Sequence, residues 1–274
     1  MDYSQYPRRY PDDFTDIKGA IEKFILPGFL PDTKLISRET IIRTQGSCFA
    51  ENLFKAIKAR KFKVKHFDFP EAVNSPIANR IFFDRLAGTP NFAHHPVHDR
   101  LFPAGLIEAV KSTLPEEKLF IFTIGVAGCW YDRQENSPVI DINPKKLEGF
   151  EFRWQSVKEN VLHLKSIIKT LKHLSPDIHI VLTLSPVPLN RAFGQNSAVT
   201  ADCVSKSILR VAIQDVMSTV PENISYWPSF EIVRWLGGHL PPVFGVDDGF
   251  ARHVSKDMVN IVVDLFIKHY AEGR

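Results

Sequence analysis

Two short segments carry residue types able to do covalent chemistry together. The first is Gly46-Ser47-Cys48-Phe49-Ala50, between a β-rich run and a helical one. Gly46 permits a sharp turn. A helix starting at Cys48 places free backbone N–H groups and a positive dipole end beside the thiol. This setting predicts a lowered thiol pKa, and the thiolate is the reactive form. The same N–H groups are suited to hold a developing oxyanion. A structural role is the alternative, with Cys48 a small buried residue and Ser47 a helix N-cap.

The second segment runs from Gly245 to Ser255 and contains Asp247, Asp248, Arg252 and His253. His253 falls just ahead of a helix that Ser255 is placed to cap. An imidazole oriented by an upstream carboxylate is what a general base requires. The competing reading is a loop ion pair from Asp247 or Asp248 to Arg252, with an incidental histidine.

Three other groups carry polar or titratable side chains. His94, His95, His98 and Asp99 lie within six residues and have zinc-ligand chemistry. Pro96 interrupts helical pairing there, and no cysteine is near, so no metal is expected and the stretch reads as a lid loop. Ser185 reads as a strand end before a Pro-rich turn. Lys206 and Arg210 lie four apart on one helix face, a solvated stripe in the simplest reading, with Lys206 left unplaced.

The elements that must position these residues alternate. Strand-like runs are 40–44 (TIIRT), 62–69, 119–126 (LFIFTIGV), 178–184 (IHIVLTL) and 224–227. Helical periodicity marks 50–60, 77–86, 156–174, 202–220 and 255–270. The continuous apolar runs at 119–126 and 178–184 suit strands buried on both faces. Alternating β and α elements predict a mostly parallel sheet covered on both sides. Ligands bind such sheets beyond the carboxyl ends of the strands. Both candidate segments belong there, as do the loops around Asn74, Gly125–Tyr131 and Ser185–Leu189.

The totals agree with this class. The chain has 274 residues, 44% hydrophobic and 24% charged, enough for a sizeable core. With 21 Phe, part of that core is aromatic. A net charge of +3 gives no case for nucleic acid or an anionic membrane surface. No run reaches the roughly 20 apolar residues of a membrane span, and the polar N-terminal stretch has no secretory pattern. Three scattered cysteines fit a reducing, cytoplasmic setting without disulfides. Residues 1–16 read as an irregular arm and 17–274 as one domain.

Gly46-Ser47-Cys48-Phe49-Ala50 after a strand is the motif that names the GSCFA family, which resembles the SGNH/GDSL hydrolases. The likeness continues through Thr123-Ile124-Gly125, Trp130-Tyr131 and Thr183-Leu184-Ser185-Pro186-Val187-Pro188-Leu189. It extends to Ser205-Lys206-Ser207-Ile208-Leu209-Arg210 and Tyr226-Trp227-Pro228-Ser229-Phe230-Glu231. The resemblance implies a three-layer α/β/α sandwich with a flavodoxin-like five-stranded sheet. It places Cys48 in the nucleophile position and His253 in the base position. The group's Asp-x-x-His spacing is absent, because Phe250 stands where the acid is expected. That leaves Asp248, or else Asp247 or a backbone carbonyl, to orient the ring. The oxyanion and substrate-binding set expected here is Ser47, Asn74, Ala127 and Ser185, since no Asn follows the third strand. The implied activity is an acyl esterase or acyltransferase without a cofactor. Its expected substrate is an ester or thioester of a small molecule or carbohydrate. The rival from another class is a non-catalytic binding domain on the same scaffold.

Overall fold

The computed structural model describes residues 9–142, 147–219 and 222–272. A short helix α1 (Ile17–Ala20) follows the N-terminal arm, and Tyr10 and Phe14 of that arm pack on His239. Then come β1 (Ile42–Gly46), α2 (Cys48–Ala59), β2 (Val64–His66), α3 (Pro76–Leu86), α4 (Pro96–Leu101) and α5 (Ala104–Thr113). The chain continues through β3 (Leu119–Ile124), β4 (Gly128–Asp132), β5 (Ser137–Val139), β6 (Phe150–Trp154) and α6 (Val157–Leu174). It closes with β7 (His179–Leu184), α7 (Ala198–Thr219), β8 (Ile224–Tyr226) and α8 (Lys256–Tyr270). Val220, the expected last residue of the 202–220 helix, lies outside the described residues.

The main sheet has the order β2-β1-β3-β7-β8, and every neighbouring pair is parallel. This is the flavodoxin-like order expected above. Side-chain alternation in the central strands sorts the core into two layers. Phe120, Phe122 and Ile124 of β3, with Ile180, Leu182 and Leu184 of β7, face α3, α5, α6 and α7. Leu119, Ile121 and Val181 face the opposite way, against α2 and α8. Both layers are closed by helices, which is why these strands read as unbroken apolar runs. The aromatic share of the core sits mainly in the first layer, where Phe67, Phe69, Phe82, Phe83, Phe102, Phe120 and Phe122 pack in linked pairs. Each fully buried ring contributes roughly 1.5–3 kcal/mol.

Two features differ from the sequence reading. Strands β4, β5 and β6 form a separate antiparallel sheet, order β5-β4-β6, inserted between β3 and α6. Each of these strands is only three to five residues long, with β5 buried throughout and β4 and β6 mostly half-buried, so no strong period marks them. The stretch after His95 is the short helix α4, with His95 at its N-cap and Pro96 at its first turn. Proline is well tolerated at that position because its missing N–H would have no helical partner.

Candidate functional site

The β1–α2 turn is built around two local requirements. Gly46 has φ of 129°, and a Cβ there would stand 1.8 Å from the Thr123 carbonyl oxygen of β3. Only glycine fits. Ser47 then caps α2 by accepting the Phe49 N–H at 3.3 Å. Its hydroxyl donates to Ser185 Oγ at 3.0 Å, and Ser185 in turn accepts the Val187 N–H. Both serines are buried. They tie the turn to the end of β7 from behind and do not line the groove in front of Cys48. The substrate-facing positions expected of Ser47 and Ser185 are thus replaced by a supporting one.

Cys48 is half-buried and opens onto a groove of about 630 Å³. The same groove is walled by Glu51, Asp247, Asp248, His253 and Lys256. Folding therefore brings the thiol and the imidazole, some two hundred residues apart, to one cleft at the carboxyl edge of the sheet. A closed loop holds His253 there. Phe244 and Val254 form a β-bridge, the Gly245 N–H donates to the His253 carbonyl at 2.9 Å, and the Ser255 N–H donates to the Val243 carbonyl. His253 Nδ1 lies 2.6 Å from Asp248 Oδ2. The other Asp248 oxygen accepts the Phe250 N–H at 2.9 Å, and these bonds hold the carboxyl below its ordinary range. Asp247 instead accepts the Lys256 N–H at the start of α8. Among the described residues His253 Nε2 has no hydrogen-bond partner, so it is open to the groove as a proton acceptor.

Burial dominates the thiol's titration. It pushes Cys48 above the ordinary thiol value, and the Glu71 carboxylate adds to that rise. Arg252, Lys206 and the Phe49 N–H pull the other way. The lowered pKa expected from a helix start is replaced by a raised one, with desolvation of the half-buried sulfur its largest cause. Glu71 had no role in the sequence reading, and the competing reading of an Arg252 pair with Asp247 or Asp248 is not what forms. Arg252 donates to the Pro188 carbonyl at 3.2 Å and lies 3.7 Å from Glu71.

The oxyanion candidates divide in the same way. The Ala127 N–H is taken by Ser205 Oγ at 2.9 Å, so it is not free to serve. Asn74 is buried, and its carbonyl accepts the Gly125 and Val126 N–H groups. Its carboxamide has no hydrogen bond among the described residues, and Oδ1 is enclosed. The Cys48 N–H likewise has no protein acceptor among the described residues.

The solvated position expected of Arg210 is corrected, and Lys206, which the sequence left unplaced, finds its place. Lys206 is 2% exposed, with Nζ donating to the Gly125 carbonyl at 2.7 Å. Arg210 pairs with Glu231 at 2.6 Å and covers the Tyr226 ring. The signal that could have placed Lys206 is its position on the same helix face as Leu209, Ile213 and Val216, three, seven and ten residues on. His94 and Asp99 form an exposed pair 2.7 Å apart, and Arg85 binds the same carboxylate. His98 is buried and held down to about 4 by burial. Among the described residues no group of three or more His, Cys, Asp or Glu is arranged to hold a metal ion. No helix of the described residues is long and apolar enough to cross a membrane.

Taken together, the parallel sheet and its groove define a flavodoxin-ordered α/β protein with its cleft at the strand order's switch point between β1 and β3. The chain belongs to the GSCFA family, whose model matches residues 103–266, more than half its length. Gly46–Ala50 lies ahead of the matched stretch, and Lys206 and His253 lie inside it. No curated protein sequence matches. Several solved structures resemble the fold at low identity. A family two carbohydrate esterase from Clostridium thermocellum is 12% identical with a TM-score of 0.45, over 85% of this chain and 64% of that one. A GDSL-like lipase from Bacteroides thetaiotaomicron is 10% identical with a TM-score of 0.43, over 86% and 90%. A salicylyl-acyltransferase from a tetracycline biosynthetic pathway is 12% identical with a TM-score of 0.43, over 85% and 54%. The chain therefore spans less than two thirds of the first and the last of these.

Proposed function

We propose that the protein is an acyl esterase or acyltransferase that works through a covalent acyl-cysteine. The observation that carries this reading is the shared groove, with Cys48 on one wall and the Asp248-paired His253 on the other. His253 Nε2 takes the proton from Sγ while Nδ1–H stays on Asp248. The sulfur attacks the carbonyl carbon of an ester or thioester. The tetrahedral oxyanion is met by the Cys48 N–H and the Asn74 carboxamide, both without protein partners among the described residues. The C–O or C–S bond then breaks, and the leaving group takes its proton from the imidazolium. Water or an acceptor hydroxyl enters next, gives its proton to Nε2 and releases the acyl group. A half-buried, protonated thiol suits this order, because the proton leaves only when His253 receives it.

Glu71 lines a second cavity, of about 340 Å³. Trp130, Phe152 and Trp154 of the inserted sheet, with Phe193, line it. Aromatic faces with polar groups at the rim suit a sugar ring or another small ring, which favours an acylated carbohydrate or small ester as substrate.

The purified protein is expected to hydrolyse a short p-nitrophenyl ester, and iodoacetamide at Cys48 is expected to stop it. Wild-type turnover in Cys48→Ala would sink the mechanism. The raised thiol pKa favours one other reading, a binding domain that keeps the groove without the chemistry. Intact-mass measurement after incubation with an activated ester separates the two, since only the enzyme gains an acyl group at Cys48.

A further inference from the structure

A cavity of about 630 Å³, as large as the Cys48 groove, opens between α3, α4 and α5. Among the described residues no lining side chain is common to the two. Local bonds hold its walls. Gly88, just past α3, has φ of 70°, and the chain turns back so that the Thr89 N–H donates to the Asp84 carbonyl at 2.9 Å. Asn91 Nδ2 then donates to Asp84 Oδ2 at 2.9 Å, and the Ala93 N–H donates to Ser137 Oγ at 3.0 Å. The Phe102 N–H closes α4 on the His98 carbonyl at 2.8 Å. The space is therefore preformed, as a small-molecule site requires.

Ile81, Phe92, Phe102 and Ile107, with Pro90 and Pro103, make most of its surface apolar. Phenyl and proline rings present flat faces, which suit a flat ring. Two polar side chains interrupt them, and both are nearly sealed from solvent: Asp84 is 3% exposed and His98 is 2% exposed. Asp84 Oδ2 is taken by Arg80 at 3.3 Å and by Asn91, while Oδ1 has no hydrogen bond among the described residues. His98 Nε2 likewise has none. An enclosed carboxylate oxygen without a donor is costly, and a ligand O–H or N–H would relieve that cost. Burial keeps the His98 ring uncharged at neutral pH. Arg85 and His94, the other basic groups of the lining, both bind Asp99. An anion therefore finds no free cation among the described lining residues and meets the Asp84 carboxylate instead.

We propose that this cavity is a second ligand site, taking a small uncharged aromatic compound whose hydroxyl or ring N–H donates to the Asp84 carboxylate. The site stands apart from Cys48 and does not depend on acyl chemistry there.

The test is isothermal titration calorimetry on the full-length protein with three probes that share one ring: p-cresol, toluene and p-toluate. The expected result is saturable binding of p-cresol at one site per chain. Toluene lacks the donor and is expected to bind at least about tenfold more weakly, the effect of one hydrogen bond to a charged group. The anionic p-toluate is expected to bind no better than toluene. Ala104 lines the cavity from an exposed position at the start of α5, so Ala104→Trp narrows the mouth without disturbing the core. It is expected to weaken p-cresol by at least about tenfold. Glu108→Trp, one turn on and also exposed, takes its place should Ala104→Trp fail to fold. Alkylating Cys48 with iodoacetamide is expected to leave p-cresol binding unchanged. The assignment is overturned if p-cresol shows no saturable binding, or if either control binds as tightly. It is also overturned if binding is undiminished in a folded tryptophan variant or lost on alkylation, since both results put the ring elsewhere. A protein that binds p-cresol as expected but turns over no ester keeps this site and loses the proposed activity.

Discussion

At the scale of single residues, the site separates groups that face the groove from groups that hold them. His253 faces it, so His253→Ala should lower ester turnover by about 100-fold or more, the range a positioned general base contributes. Asp248→Asn should give a smaller loss, because the pair is exposed and water can partly orient the ring in its place. Steady-state kinetics on the two variants checks the order, and a larger loss in Asp248→Asn would contradict it. Ser47 belongs to the supporting set. Ser47→Ala removes a helix cap and should cost about 1 kcal/mol of stability while most turnover remains. Complete loss of turnover in a folded Ser47→Ala protein would move the nucleophile to Ser47.

At the scale of elements, the β1–α2 turn and the strand pairing carry the strain and the buried charge. Gly46→Ala brings a methyl group into the Thr123 carbonyl and forces a left-handed φ on an L-residue. A loss of at least about 2 kcal/mol in denaturant unfolding is expected, and wild-type stability would show that the turn relaxes freely. Arg43 of β1 and Glu117, just before β3, form a buried pair, with Arg43 also stacked on Phe67. Glu117→Ala leaves the guanidinium buried without its anion and should cost about 3–5 kcal/mol. A change under 1 kcal/mol would mean that Arg43 reaches water. Element positions followed largely from periodicity. The helix expected at 156–174 is α6 with a full Ser156–Glu159 capping box, and Ser255 caps α8 as its position suggested. The inserted sheet escaped because its strands are short, of uneven burial and paired with each other, which leaves no apolar period to read.

At the scale of the whole molecule, three histidines on different elements titrate together with folding. His98, His163 and His179 are each held down to about 4, in every case chiefly by burial. Their folded values lie below the unfolded value near 6.5. The unfolded chain therefore binds more protons between the two, and stability falls as pH drops. The contribution is complete above about pH 6.5 and is lost progressively as pH falls through about 4. Melting temperatures measured from pH 7.5 down to 4.5 should decline across that window. A flat profile would mean that the three rings reach solvent in the folded state.

The sequence alone was sufficient for the class of fold and for the turn that presents Cys48. Both follow from local rules: the period of apolar residues, the need for glycine ahead of a tight turn, and the side chains that cap helices. The resemblance also pointed to His253, which lines the same groove as Cys48. The tertiary structure decided which aspartate meets that histidine, that Lys206 is sealed inside, that Ala127 has spent its N–H on Ser205, and that Arg252 reaches Glu71 and the Pro188 carbonyl. Those outcomes depend on which distant groups are brought together and how much water is removed from them, and neither quantity is written in any stretch of neighbouring residues.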